Sequence, residues 1–170
     1  MPGLSTDGVL ELVPHDPVLA EEYLAVVERN LDRLAQWEPW AQRPVTIESI
    51  RAYQGWTAAR AARGEVLEFV ICLDGAIVGA TGARLDRARV EFGYWIDADF
   101  EGKGVASRAV GELLGRLEAL GHRCLLAQTG AGNARSIRLL ERQGFALSDE
   151  PAPALRLGER IVPMVRYVRG

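Results

Sequence analysis

A chain of 170 residues is the length of one domain, and it can bury roughly two thirds of its unfolded surface without disulfides or metal. Its 23 acidic and 20 basic residues leave a net charge of −3, which excludes the dominant basic surface that nucleic acid requires and suits a cationic partner better. Hydrophobic residues at 48% and charged residues at 25% are ordinary globular values and exclude extensive disorder.

No basic stretch followed by an apolar one opens the chain at Met1–Asp7, so no signal peptide is expected. Nor does any run approach the roughly 18 apolar residues of a membrane span. Cys72 and Cys124 both sit in apolar, strand-like runs. They are expected to be buried, reduced thiols, which fits a cytoplasmic location. No Cys or His spacing suggests a metal site.

In chain order, Gly8–Val13 reads as a first strand. Asp16-Pro17 pairs an N-cap with proline at the first helical position, and Leu19, Tyr23, Val26, Val27, Leu31 and Leu34 follow at helical spacing. Trp37-Glu38-Pro39-Trp40 ends that helix. Thr46 caps a second one running to about Arg63, where Gly64 stops it. Val66–Leu73 and Ala76–Leu85 are strands joined by the hairpin signal Asp74-Gly75. After a turn at Asp86-Arg87-Ala88 comes a third antiparallel strand, Arg89–Ile96. A helix from Glu101/Gly102 to Leu120 carries Val105, Ala109, Leu113, Leu117 and Leu120 along one stripe. Arg123–Thr129 can then pair in parallel with Arg89–Ile96. Asn133 caps a helix reaching Gln143, and Phe145–Leu147 and Ile161–Val168 are the last strands. His15 and His122 fall in turn-like positions and are read as structural. The whole, residues 1–170, is a single mixed α/β (α+β) domain.

The informative stretch is Phe92-Gly93-Tyr94-Trp95-Ile96-Asp97-Ala98-Asp99-Phe100-Glu101-Gly102-Lys103-Gly104-Val105-Ala106-Ser107. An apolar strand enters a glycine-containing loop that opens a long helix. The first amides of a helix lack intrahelical partners and carry partial positive charge, which makes a phosphate cradle. A Walker loop is excluded by spacing. A dinucleotide fingerprint is disfavoured by Ser107 where glycine is needed. On Gly-Lys-Gly alone, glycines present only for tight packing remain an alternative.

Two motifs together narrow the choice. Glu101-Gly102-Lys103-Gly104-Val105-Ala106 resembles the Gln/Arg-x-x-Gly-x-Gly/Ala signature of the Gcn5-related N-acetyltransferase (GNAT) superfamily, with Glu in place of Gln or Arg. Asn133-Ala134-Arg135-Ser136, continuing to Gly144-Phe145, is similar to the superfamily's Asn-x-x-Ser…Gly-Phe helix. Gly93-Tyr94-Trp95-Ile96 with Phe100-Glu101-Gly102-Lys103-Gly104, and the early Asn30–Leu34 segment with Trp37 and Trp40, resemble the RimL/RimJ type, which acetylates N-termini of ribosomal proteins.

The resemblance implies a central sheet of about seven strands with four helices, strands four and five splaying apart to take acetyl-CoA. Trp95, Ile96 and Asp97 would then bond the pantetheine arm, and Lys103, Gly104, Val105, Ala106 and Ser107 would face the pyrophosphate. Asn133 would contact the cofactor, cap its helix, or do both. Ser136 would protonate the departing sulfur, or is a solvated helix serine. Trp37, Trp40 and Tyr94 fall to the amine substrate, Trp37 and Trp40 being equally compatible with core packing. The base is less defined, because Leu155 stands where the RimL-type glutamate belongs and Glu150 and Glu159 lie nearby. Glu91 is the further candidate, as base, as ammonium ligand or as a surface charge. A lysine amine, with pKa about 10.4, is neutral less than about 0.1% of the time at pH 7, whereas an α-amine near 7.8 is neutral over about 10%. An α-amine acceptor is therefore expected, with a small-molecule amine, or a degenerate acyl-CoA-binding module, as alternatives. The subgroup likeness also implies a homodimer.

Overall fold

The computed structural model describes residues 7–86 and 89–170. Met1–Thr6 and the tip of the expected turn at Arg87-Ala88 lie outside them. Seven strands form one sheet in the order β1-β2-β3-β4-β5-β9-β6. These are β1 (Leu10–Pro14), β2 (Val66–Leu73), β3 (Ala76–Leu85), β4 (Val90–Ile96), β5 (Leu125–Gly130), β6 (Ala146–Leu147) and β9 (Met164–Arg169). Four α-helices, α1 (Ala20–Leu34), α2 (Ile47–Ala62), α3 (Val105–Ala119) and α4 (Ala134–Arg142), cover its two faces. Strands β1 to β4 are antiparallel neighbours, and β5 joins β4 in parallel after the α3 crossover. The mixed seven-stranded sheet and four helices are those expected.

One core lies between the sheet and α3 with α4, and includes Ile71, Phe92, Val110, Leu113, Leu140 and Phe145. The other lies between the opposite face and α1 with α2, and includes Tyr23, Val27, Ile50, Val70 and Trp95. Alternation along the strands therefore assigns each residue to one helix pair. In α3, Val105, Ala109, Val110, Leu113, Leu114 and Leu117 are all at most 2% exposed. Burying each large member contributes about 1.5–3 kcal/mol. Leu120, expected on that stripe, is 61% exposed, because it lies past the last helical turn as the C-cap.

Local signals explain most boundaries. Asp16 accepts from the Val18 amide at 2.9 Å and starts a 3-10 turn, Pro17–Leu19, ahead of α1. Thr46 and Ser49 form a reciprocal capping box at α2. Three further expectations need correction. The third helix begins at Val105 rather than Glu101/Gly102, because the intervening residues form a turn. Cys124 is exposed, since β5 starts one residue later. The final strand is interrupted at Pro163, which separates β8 (Arg160–Val162) from β9, and β8 pairs instead with an unforeseen β7 (Leu155–Leu157).

Candidate active site

β4 and β5 run side by side only at Val90–Leu125 and Glu91–Leu126. β4 continues to Ile96 and β5 to Gly130, so a wedge opens between them. β4 keeps an unbroken ladder with β3 from Val90 to Ile96. Val90 donates its amide to Cys124 on the β5 side at 3.0 Å, and Asp97 donates to Val78 on the β3 side at 2.7 Å. Main-chain groups alternate along a strand, so those of Phe92, Tyr94 and Ile96 turn toward the wedge and those of Trp95 and Asp97 toward β3.

A 3-10 turn, Ala98–Phe100, leads from the wedge to α3. Gly102 and Gly104 have φ of +72° and +82°, the left-handed region where other residues pay a steric penalty. A side chain at either would meet no atom within 4 Å, so conformation rather than tight packing requires glycine there. Gly104 is the N-cap and offers no side-chain acceptor. The first helical bond runs from the Arg108 amide to the Gly104 carbonyl at 3.0 Å. The amides of Val105, Ala106 and Ser107 are thus left at the helix mouth, an arrangement that binds anions. The Val105 side chain is fully buried, and the Ser107 hydroxyl accepts from Gln143 at 3.0 Å, so both present main chain. Lys103 is exposed, its ammonium 5.9 Å from the centre of the Phe100 ring.

Asp97 is a buried anchor. Its carboxylate accepts from Arg29 Nε at 2.8 Å and from Asn30 Nδ2 at 3.1 Å. Burial pushes its pKa up, but those bonds and the one from the Asp99 amide prevail and hold it below the usual value. Arg33 donates to the Ile96 carbonyl and to Glu101, and Arg135 also pairs with Glu101. Helix α1 is thereby fixed to the end of β4 and to the glycine turn.

Asn133 caps α4 by accepting from the Ser136 amide at 3.2 Å. Ser136 in turn reaches the hydroxyl of Tyr94, whose pKa is raised by burial and partly restored by that contact. Tyr94 packs with Ala106 and Ile137 against the α3/α4 core. It therefore lies on the opposite face of β4 from Trp95, next to Ser136 and not with the two tryptophans assigned to the substrate.

The other face of β4 carries Glu91, Gly93 and Trp95. Glu91 pairs with Arg84 at 2.9 Å and accepts from Gln128 at 3.2 Å. Trp37 packs over Gly130, where a Cβ would lie 2.2 Å from its ring. Trp40 is 39% exposed and donates to Glu38 at 3.1 Å. Tyr23 stacks obliquely near Trp95, with ring centres 5.9 Å apart, and His15 sits edge-on between Tyr23 and Tyr53. Burial lowers His15 to about 4. Glu68 of β2 lies 3.5 Å from the Tyr53 hydroxyl, and burial raises it to about 7. Near the missing glutamate, Leu155 opens β7. Glu150 is held by Arg89 and Arg166, which bring it to about 2.

The family model for the acetyltransferase (GNAT) domain matches residues 10–146. The chain belongs to the GNAT acetyltransferase family. As a GNAT protein it is an acyl-CoA-dependent acetyltransferase that uses acetyl-CoA. It is 29% identical over 136 residues to YdaF of Bacillus subtilis (strain 168), provisionally named a ribosomal N-acetyltransferase, covering 76% of this chain and 74% of that one. The fold superimposes on the microcin self-immunity acetyltransferase MccE, solved with acetyl-CoA and AMP (TM-score 0.88, 20% identity, 98% and 97% of the two chains). It also superimposes on RimL, a ribosomal-protein α-N-acetyltransferase solved with coenzyme A (TM-score 0.85, 21% identity, 98% and 96%).

Within this GNAT domain, neither the anchoring roles of Arg29, Asn30 and Arg33 nor the placing of Glu68 follows from a sequence motif. The signal for Glu68 was present, as a lone carboxylate in the otherwise apolar run Val66–Leu73.

Proposed function

We propose that this acetyltransferase acts on the α-amine of a peptide or protein N-terminus, in the manner of the RimL type. The observation that carries the reading is the wedge between β4 and β5, which leads directly to the uncapped start of α3. It has the shape and polarity for an extended thioester donor with a diphosphate at one end. The ribosomal acetyltransferase names of YdaF and RimL support the acceptor class.

In this reading the amides from Lys103 to Ser107 hold the pyrophosphate, and Asn133 flanks it. The Trp95–Asp97 segment lines the pantetheine, with wedge-facing main chain from Ile96 and Tyr94, while Asp97 keeps the strand end in place through Arg29. Reaction is attack of a neutral amine on the thioester carbonyl, helped chiefly by positioning of two bound substrates and by donors near the developing oxyanion. Ser136, backed by Tyr94, gives a proton to the departing sulfur. A thiol of pKa about 8.5 leaves tolerably unaided, so that contribution is small. Glu91, Trp37 and Trp40 border the acceptor. Among the described residues no helix is long and apolar enough to cross a membrane; a cytoplasmic homodimer completes the proposal, and sedimentation tests the dimer.

The test is acetylation of paired peptides, one with a free N-terminus and no lysine, the other N-blocked with one lysine, beside a panel of polyamines and amino acids. Faster transfer to the free N-terminus at pH 7 supports the reading. Exclusive lysine or small-amine acetylation overturns it.

A further inference from the structure

Three residues stand side by side across the α1/α2 face of the sheet: Glu68 in β2, Gly82 in β3 and Gly93 in β4. The Glu68 carboxylate lies over Gly82, where a Cβ would come 2.1 Å from Oε2. Over Gly93 a Cβ would meet nothing within 4 Å. An open notch on β4, the strand whose far edge opens into the wedge, therefore adjoins the Glu68 carboxylate across Gly82. Trp95 pairs with Ala80 at one end of the notch, and the Arg84–Glu91 ion pair closes the other at 2.9 Å.

We propose that Glu68 is the proton acceptor of the reaction, serving an amine seated over Gly93. The proposal rests on the acetyltransfer reading above and supplies the base that Leu155 cannot. As the nitrogen lone pair forms the N–C bond, the C–S bond breaks with its electrons on sulfur. The proton lost by nitrogen passes to the Glu68 carboxylate, and sulfur takes one from Ser136 or solvent.

The surroundings suit that task. Tyr53 and Arg60 face Glu68 from α2, Arg84 from β3 and Tyr23 from α1, with His15 and Glu38 beyond the two tyrosines. Desolvation prevails over the Tyr53 hydrogen bond and the two arginines and raises Glu68 to about 7. A base poised there matches an α-ammonium of pKa about 7.8 far better than an ordinary carboxylate does. Its competitors are weaker. Glu91 has Arg84 on one oxygen and Gln128 on the other, Glu150 is doubly paired with arginine, and His15 is held neutral.

Glu68→Gln and Gly93→Val test the assignment with an N-terminal peptide acceptor, alongside heat protection by coenzyme A. For Glu68→Gln, kcat/KM at pH 7 is expected to fall by about 10²–10⁴. That deficit should shrink at least about fivefold by pH 9.5, where solvent supplies the neutral amine. For Gly93→Val, the acceptor KM should rise about tenfold or more as the notch fills. Both variants should keep the protection by coenzyme A. A Glu68→Gln rate equal to the parent's, a deficit unchanged with pH, or an unaltered KM in Gly93→Val overturns the assignment. Absence of turnover and of coenzyme A protection in the parent protein instead overturns the acetyltransferase reading beneath it.

Discussion

Arg29, in the last half of α1, donates through Nε to the carboxylate of Asp97 at 2.8 Å, tying that helix to the end of β4. The Asp97 side chain is 3% exposed, while Arg29 keeps 41% of its side chain in solvent. The pair is thus one buried anion held by a half-solvated cation and by Asn30.

Removing that anion should cost stability and disturb the strand end together. Breaking a fully buried pair costs about 3–5 kcal/mol; with Arg29 able to rehydrate, Asp97→Ala should lose about 2–3 kcal/mol. Urea unfolding measures the loss, and coenzyme A titration should show weakened binding in the same variant. An unchanged midpoint would show that the contact contributes nothing.

Glu68 makes a prediction of opposite sign. Its folded pKa of about 7 lies above its ordinary value of 4.5, so the folded state holds the proton more tightly than the unfolded chain does. The associated stability is fully present below about pH 4.5 and is lost as pH rises through about 7. Glu68→Gln cannot ionise, so relative to the parent it should gain stability across that window, on the order of 3 kcal/mol at pH 8. At about 2–4 °C per kcal/mol for this size, the melting-temperature difference should widen from pH 5 to pH 8. A difference that stays flat would mean that Glu68 ionises normally.

Ser136 and Tyr94 should behave as one unit. Ser136→Ala and Tyr94→Phe are each expected to lower kcat only about two- to tenfold, because a thiolate is an adequate leaving group. The double variant should lose less than the product of the single losses. Single-turnover rates with acetyl-CoA measure this, and multiplicative losses would show that the two side chains act separately.

Much of the fold was legible because each signal was local. Asp74-Gly75 fixed the β2–β3 hairpin, Thr46 and Asn133 fixed helix starts through their own side chains, and alternating apolar residues set the strand faces. The last thirty residues were harder to read. Pro151, Pro153 and Pro163 divide them into short pieces, and the β7–β8 pairing depends on partners rather than on periodicity. The start of α3 at Val105 is not legible because φ at Gly102 and Gly104 cannot be read from residue type. A motif gives residue order without strand parity, so the placing of Tyr94 on the face opposite Trp95, beside Ala106 and Ile137, is read from the structure. The surroundings of Glu68, Tyr53 on α2 and the glycines of β3 and β4, converge only in three dimensions.

The most direct measurement is the melting temperature of the parent protein and of Gly104→Val with and without coenzyme A. At a hundredfold excess over Kd, binding should add about 2.7 kcal/mol, a rise of roughly 5–11 °C for a chain of this size. Gly104→Val, forced out of the left-handed turn that exposes the α3 amides, should lose most of that rise. A parent protein that melts at the same temperature with and without coenzyme A, or a variant protected as fully as the parent, would contradict the account.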